Sequence, residues 1–425
     1  MNSLRPYQQA AVDALQNGDL LVMPTGVGKT ITLAEFVSNR SQAGERCLWV
    51  AHRAELVSQA SNALRAAWLE PELNVWVRSI QELRRNGGPK ADWLIWDEAH
   101  HAVSDDWSQL RTAQYPEAKV IGASATPERG DGRGLAGIFN RIVEPIKTRE
   151  AIEQGYLVPA RTLRPDRPLG PGELAQDPLE AYAQFANSKK AIIFAPSVEL
   201  AIQWACRLRD GLGIPAFALW GDMPLADRLD KLESFRMGKV RVLVNVEILT
   251  EGTDIPDVEC VVLARGFGTT GGYLQAVGRG LRPSPGKKEC LVLDLRGASH
   301  DHGEVDDDRI YSLDGRGIRK AEDSIEVRFC PVCGSPVVGT DCEKCGYAGE
   351  LRRRPPRVLG LPLDRFARKV AESPEARAKT FSRWLLEARR AGHKDGRAYH
   401  KYRAVYQEPP SRQVQQLARQ YISKQ

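Results

Sequence analysis

Residues 19–30 read DLLVMPTGVGKT, an apolar run that breaks into a Gly-rich turn and closes on Lys-Thr. No other string constrains the fold as tightly, because a loop that wraps phosphate needs a strand behind it and a helix in front. Gly26 and Gly28 let the backbone turn its N–H groups towards phosphate oxygens, with Thr25 and Val27 completing the cradle. Lys29 then reaches the β and γ phosphates of a nucleotide such as ATP, and Thr30 offers a hydroxyl to Mg²⁺. Met23 stands where the first Gly of the usual eight-residue signature would be.

Two more strings extend this chemistry. WDEAHH ends the run Asp92 to Trp96 and places Asp97 and Glu98 at the carboxyl edge of a sheet. Asp97 suits Mg²⁺, directly or through water, and Glu98 suits orienting and deprotonating an attacking water. Alone, such a string would be an acidic loop at a strand end; with a phosphate loop it implies nucleotide hydrolysis. QAVGRGLR, Gln275 to Arg282, lies far along the chain. Arg279 and Arg282 stand three apart, so on a helix they share a face, with Gln275 a turn behind. An arginine aimed at the γ-phosphoryl group neutralises charge that develops there, worth on the order of a thousandfold or more in rate. The alternative is a pair of surface arginines.

Short β-rich runs alternate with helical patterns twice over, which predicts an α/β fold with two lobes and mainly parallel sheets. The first set of runs is Asp19 to Met23, Cys47 to Ala51, Asp92 to Trp96 and Lys119 to Ala123. The second is Ala191 to Ala195, Val240 to Val246, Val258 to Ala264 and Glu289 to Leu295, with helical stretches at Val198 to Leu212 and Ala226 to Met237. These place the lobes at 1–150 and 151–300, joined by a hinge in the Pro- and Gly-rich stretch Pro159 to Pro178. Beyond Leu295 the pattern stops. An acidic segment, Ser299 to Asp314, leads to a cysteine quartet within 301–355, RRRPP reads as a linker, and 356–425 reads as a basic helical module.

The motifs, in this order, resemble those of superfamily 2 helicases. LRPYQ at Leu4 to Gln8 looks like the adenine-reading entry, AHR at Ala51 to Arg53 like motif Ia, and DEAH at Asp97 to His100 like motif II. SATP at Ser124 to Pro127 resembles motif III, EGTDIP at Glu251 to Pro256 motif V, and QAVGRGLR motif VI. The resemblance implies two RecA-like lobes that bind ATP with Mg²⁺. It further implies that Gln8 contacts adenine, that Ser124 and Thr126 couple hydrolysis to movement, and that Gly252 and Asp254 help form the interlobe site. Within the superfamily, QAVGRGLRPSPGKKECLVLD, followed by His302-Gly303 and a cysteine-bearing segment, is similar to the bacterial RadD-like helicases and related phage proteins. That likeness implies work in DNA recombination or repair on single-stranded, forked or branched DNA, with a repair or replication protein as partner. The compact cysteine region and short tail depart from the longer bacterial members.

Cys330, Cys333, Cys342 and Cys345 form paired CxxC knuckles, the thiolate spacing of a zinc ribbon, in which tetrahedral Zn²⁺ is structural. Disulfides are the alternative. Cys47, Cys206, Cys260 and Cys290 lie in apolar runs and read as small buried hydrophobes. His300, Asp301 and His302 lack a third ligand at metal spacing, so a solvated loop suffices.

Leu351 to Gln425 holds 19 Lys and Arg against 6 Asp and Glu, whereas Met1 to Glu350 holds 41 against 48. Basic charge therefore collects in the tail, as expected for phosphate-backbone binding or for a solvated helical surface. Tyr399, Tyr402 and Tyr406, interleaved with Arg397, Lys401 and Arg403, suit base stacking and equally suit the core of a small helical unit. No apolar run approaches the roughly 20 residues of a membrane span, and Met1 to Ala10 holds no signal-peptide core, so the expectation is the cytoplasm of a bacterial or phage-infected cell, with no membrane partner. Two rivals stand beside a strand-separating helicase: a motor that moves on duplex or anneals strands, and a DNA-structure-binding adaptor switched by ATP.

Overall fold

The computed structural model describes residues 4–52, 54–67, 74–101, 107, 109–127, 134–170, 172–246, 248, 255, 257–307 and 309–314, and beyond these 328–329, 336–337, 356–365, 378, 381–386 and 410–423. The chain divides into two compact units, Met1–Arg365 and Phe366–Gln425.

Six strands build the first sheet: β1 (Asp19–Val22), β2 (Cys47–Ala51), β3 (Val75–Ser79), β4 (Trp93–Asp97), β5 (Lys119–Ser124) and β6 (Arg141–Val143). They run in the order β3-β2-β4-β5-β1-β6, and every pairing is parallel. β1, β2 and β4 are buried at every residue, as strands covered on both faces must be, which explains their unbroken apolar sequences. Gly122 on β5 is needed for close approach: any Cβ there would collide with the Phe139 ring.

A second sheet follows the same rule. β7 (Ala160–Arg164), β9 (Ala191–Phe194), β10 (Ala216–Leu219), β11 (Val242–Asn245), β12 (Cys260–Leu263) and β13 (Cys290–Asp294) pair in parallel in the order β10-β11-β9-β12-β13-β7, with the short β8 (Glu173–Leu174) outside this sheet. Further along, β14 (Arg328–Phe329) and β15 (Pro336–Val337) pair antiparallel. β16 (Arg357–Val358) then pairs with β8, and β17 (Asp364–Arg365) adds antiparallel to the outer edge of β7.

Three sequence expectations change here. Pro159 to Pro178 is not a hinge: it contains β7 and β8, and Leu163, Leu169 and Leu174 are buried in the core of the second lobe. Its prolines and glycines shape turns on either side of a short strand that is held by pairing partners far away in sequence. The start of the tail at 357–365 likewise belongs to the second sheet and its margin rather than to a helix.

The third change concerns Ser299 to Asp314, which is a strap rather than a polar linker. At one end the Glu304 carboxylate accepts from Thr162 Oγ1 on β7 (2.8 Å), and at the other Leu313 O accepts from Leu135 N and Ala136 N of the first lobe (2.7 and 3.0 Å). Tyr311 and Leu313 pack on the first lobe's core. His300 and His302 point their Nε2 atoms at the carbonyls of Pro165 and Phe267 (2.9 and 2.8 Å), and among the described residues no group of three or more acidic, His or Cys side chains is arranged to hold a metal.

The second unit has its own small core, in which Phe381, Trp384 and Leu385 meet Val414 and Ala418 of the helix Arg412–Ser423. Tyr399, Tyr402 and Tyr406 lie outside the described residues. No helix among the described residues is long and apolar enough to cross a membrane.

Candidate active site

The phosphate loop leaves β1 at its carboxyl end and runs into the helix Lys29–Gln42. Gly26 and Gly28 both adopt left-handed backbone, φ +95° and +93°, which a side chain would strain. Gly28 caps the helix, so the helix amides and the positive end of its dipole face the space the loop encloses. Thr30 sits in the helix's first turn. Over the loop lie Tyr7 and Gln8: Tyr7 donates its hydroxyl to Val27 O (2.6 Å), and Gln8 Nε2 donates to the same oxygen (3.1 Å) while Gln8 Oε1 accepts from Arg5 N (2.9 Å).

Lys29 bridges from this loop to the end of β4. Its Nζ lies 2.6 Å from Glu98 Oε1 and 3.4 Å from Asp97 Oδ1. Burial alone would pull the Lys29 ammonium down, yet the Glu98 and Asp97 carboxylates hold it above the ordinary lysine value. Asp97 shifts upward, chiefly by burial and also by the neighbouring Glu98 charge, against the pull of Lys29. Glu98 itself adopts φ +51°, unusual for a residue with a Cβ, and its N–H donates to Asp97 Oδ1 (3.0 Å). The Asp97 carboxylate, with the Thr30 hydroxyl in the first turn of the helix, is an oxygen donor pair of the kind that could hold Mg²⁺.

Behind Glu98, His100 Nδ1 lies 3.0 Å from Ser124 Oγ and 3.5 Å from Glu98 Oε2. Ser124 Oγ also accepts from Thr126 N (3.2 Å), so the SAT string at the end of β5 is joined to the DEAH string by side-chain bonds.

The third motif meets the loop from the second lobe. Gln275 is buried within the helix Thr270–Gly278, but that helix ends at Gly278. Arg279 and Arg282 therefore come from the turn beyond it rather than from one helical face, because Gly278, Gly280 and Pro283 cannot sustain the helix. The turn brings Arg282 to the loop by another route. A Cβ on Gly26 would lie 2.9 Å from Arg282 Cγ, and a Cβ on Gly278 would lie 2.6 Å from Thr25 Cβ. Arg279 is buried, with 7% of its surface exposed. A cavity between the lobes is lined by Thr25, Ala125, Lys147, Leu274, Gly278 and Arg309.

Of the residues expected from sequence, Gln8, Thr25, Gly26, Val27, Gly28, Lys29 and Thr30 share one loop surface, with Asp97 and Glu98 facing it and Arg282 against it. Gly252, Asp254, Cys330, Cys333, Cys342 and Cys345 lie outside the described residues. Tyr156 was missed: its ring stands 5.1 Å from that of Tyr7 and carries Arg5 at 4.5 Å. It lies in an ordinary GYL string, and no local pattern marks it.

Comparison with known proteins agrees with this arrangement. Residues 1–75 match the model of the type III restriction enzyme res subunit, and residues 176–284 match the helicase conserved C-terminal domain. A chain named as the mitochondrial ATP-dependent helicase irc3 of Schizosaccharomyces pombe is 30% identical over 69% of this chain and 57% of its own length. The DNA 3'-5' translocase XPB2 of Sulfurisphaera tokodaii is 24% identical over 69% of this chain and 81% of its own. This chain thus spans little more than half of the irc3 protein. Among solved structures, a fragment described as the HsdR subunit of a type I restriction enzyme from Vibrio vulnificus YJ016 superposes with a TM-score of 0.56 at 20% identity, over 72% of this chain and 67% of the fragment, which establishes the paired RecA-like fold.

Proposed function

From the premise that this chain carries the ATPase core of a superfamily 2 helicase, we propose that it is an ATP-driven DNA motor, a helicase or translocase acting in recombination or repair. One observation carries the reading: the phosphate loop touches the other lobe at Thr25 and Gly26, against Gly278 and Arg282. A nucleotide held by the loop is then felt by both lobes, which is the requirement for turning hydrolysis into movement. DNA is the preferred track because the XPB2 relative is named a DNA translocase.

In this reading the loop amides and Lys29 bind and orient the phosphates, and ATP entry draws Lys29 off Glu98. Released, Glu98 orients a water and takes its proton, while His100, itself bonded to Ser124, faces the carboxylate's other oxygen. Asp97 and Thr30 would hold Mg²⁺, which when bound would neutralise charge on the phosphate oxygens. Arg279 and Arg282 stabilise negative charge on the transferring group from the second lobe. Gln8, which lies beside the loop with Tyr7 and Arg5, is assigned to adenine contact, and the motif resemblance assigns Gly252 and Asp254 a part in the interlobe site.

The four cysteines are assigned to a structural zinc ribbon on their spacing, and the basic tail to nucleic-acid or partner contact. The likeness of QAVGRGLRPSPGKKECLVLD to RadD-like helicases supports the repair role, a repair or replication protein as partner, and a bacterial or phage-infected cytoplasm as the setting.

ATP turnover measured with single-stranded, duplex and forked DNA and with RNA tests the proposal, with strand displacement measured alongside. DNA-stimulated turnover is the expected result, and strand release separates a helicase from a duplex translocase. ATP binding without steady turnover would replace the motor with a switched adaptor.

A further inference from the structure

Three imidazoles stand in a row between the ends of β2 and β4. The His100 and His101 ring centroids lie 4.2 Å apart at 41°, and those of His101 and His52 lie 4.3 Å apart at 44°. His52 follows β2 directly, and its carbonyl accepts from Gln81 Nε2 (3.1 Å). At the other end of the row, His100 faces Ser124 Oγ and Glu98 Oε2 through one nitrogen. β2 and β4 are sheet neighbours, with Val50 opposite Trp96, so the row closes the gap between two adjacent strand ends.

We propose that His101 and His52 are positioning residues for water activation, acting through His100 on the carboxylate of Glu98. The proposal rests on the functional reading above and deepens it. Glu98 adopts a left-handed backbone, uncommon for a residue with a Cβ, so the direction of its carboxylate depends on what surrounds it. The His101 ring lies against that of His100 and limits its tilt, and His52 in turn backs His101. Aromatic faces at these separations hold relative ring planes without requiring a charge. The row also ends one residue from Arg53, so two ring contacts and the His100–Glu98 contact join the end of β2 to Glu98.

Full-length H101A, H52A and H101F are compared with the parent for ATP turnover at saturating single-stranded DNA, with heat denaturation as a check on folding. H101A is expected to lower kcat about tenfold to a hundredfold, as a small misplacement of a catalytic group does. Its KM for ATP is expected to stay within about twofold, because the phosphate contacts of the loop and Lys29 are untouched. H101F keeps an aromatic face without the imidazole nitrogens, and is expected to recover most of the missing kcat. H52A is expected to show the same kcat-only loss more weakly, and it carries the test if H101A does not fold. Unchanged kcat in folded H101A and H52A would overturn the proposal, as would H101F failing to recover activity while remaining folded. Absence of DNA-stimulated turnover in the parent protein would instead overturn the functional reading.

Discussion

Lys29 and Glu98 are paired across the floor of the cleft, Nζ to Oε1 at 2.6 Å, so the cation proposed to meet phosphate is held by the carboxylate proposed to activate water. The pair offsets the burial of the Lys29 ammonium, and in the proposed mechanism a nucleotide would separate the two.

Lys29→Ala and Glu98→Gln are both expected to lower ATP turnover by at least about a hundredfold, for different reasons. The first removes a phosphate ligand and weakens ATP binding. The second keeps the loop but has no base, so it still binds ATP in an equilibrium assay with a labelled nucleotide. Near-normal turnover in either variant would remove the mechanism.

Arg279→Ala should lower kcat by about a thousandfold while barely changing the dissociation constant for ATP, because its charge is required chiefly as the transition state forms. Steady-state kinetics with DNA present, set beside nucleotide binding, measures both quantities. A defect confined to binding would make Arg279 a ground-state ligand of the nucleotide.

Much of this site is legible in sequence because each motif is a contiguous string whose backbone geometry is local: two glycines turn a loop, and an acidic pair ends a strand. Relations between distant strings are less accessible. The spacing of QAVGRGLR predicts arginines on one helical face, yet the glycines and Pro283 end that helix first, and the turn delivers them instead. β7 hides in a Pro- and Gly-rich stretch because five residues between breakers carry little periodicity, and its strand character comes from β13, more than a hundred residues later. The strap is hidden for the same reason. Its acidic composition suits solvent, and only tertiary pairing of Glu304 with Thr162 and of Leu313 with Leu135 reveals it.

Glu304→Gln tests the strap's anchor. Burial raises the Glu304 carboxyl above its ordinary value, although Thr162 and Arg164 pull the other way. A raised folded-state value means that its contribution to stability is complete at low pH and is lost as pH rises through that value. Glutamine keeps an acceptor for Thr162 without the charge. The variant's Tm should therefore gain on the parent as pH rises from about 5 to about 8, by about 2 °C or more. A difference independent of pH would show that the carboxyl does not titrate on folding.

Removing 366–425 deletes 14 Lys and Arg against 5 Asp and Glu in a unit with its own core. DNA affinity is expected to fall and its dependence on salt to flatten, by about 0.9 in slope for each phosphate that the tail neutralises. Turnover at saturating DNA should persist, since Lys29, Glu98 and Arg279 remain. Binding measured across a salt series decides the matter, and equal slopes would leave the tail a role in partner docking.

The cysteine quartet predicts about one Zn per chain by elemental analysis, absent from Cys330→Ser or Cys345→Ser while ATP binding survives. Metal-free protein with all four thiols reactive would refute the ribbon.

The strap also decides what kind of motion the core permits. The chain passes between the lobes once over 144–158 and again between Glu304 and Leu313, like a door hung on two hinges. Sliding one sheet past the other would tear the Leu313 carbonyl from the amides of Leu135 and Ala136, whereas swinging about the line through the two crossings preserves both attachments. Rotation about that line is therefore a motion both attachments tolerate, and it would part Thr25 from Gly278 without breaking either.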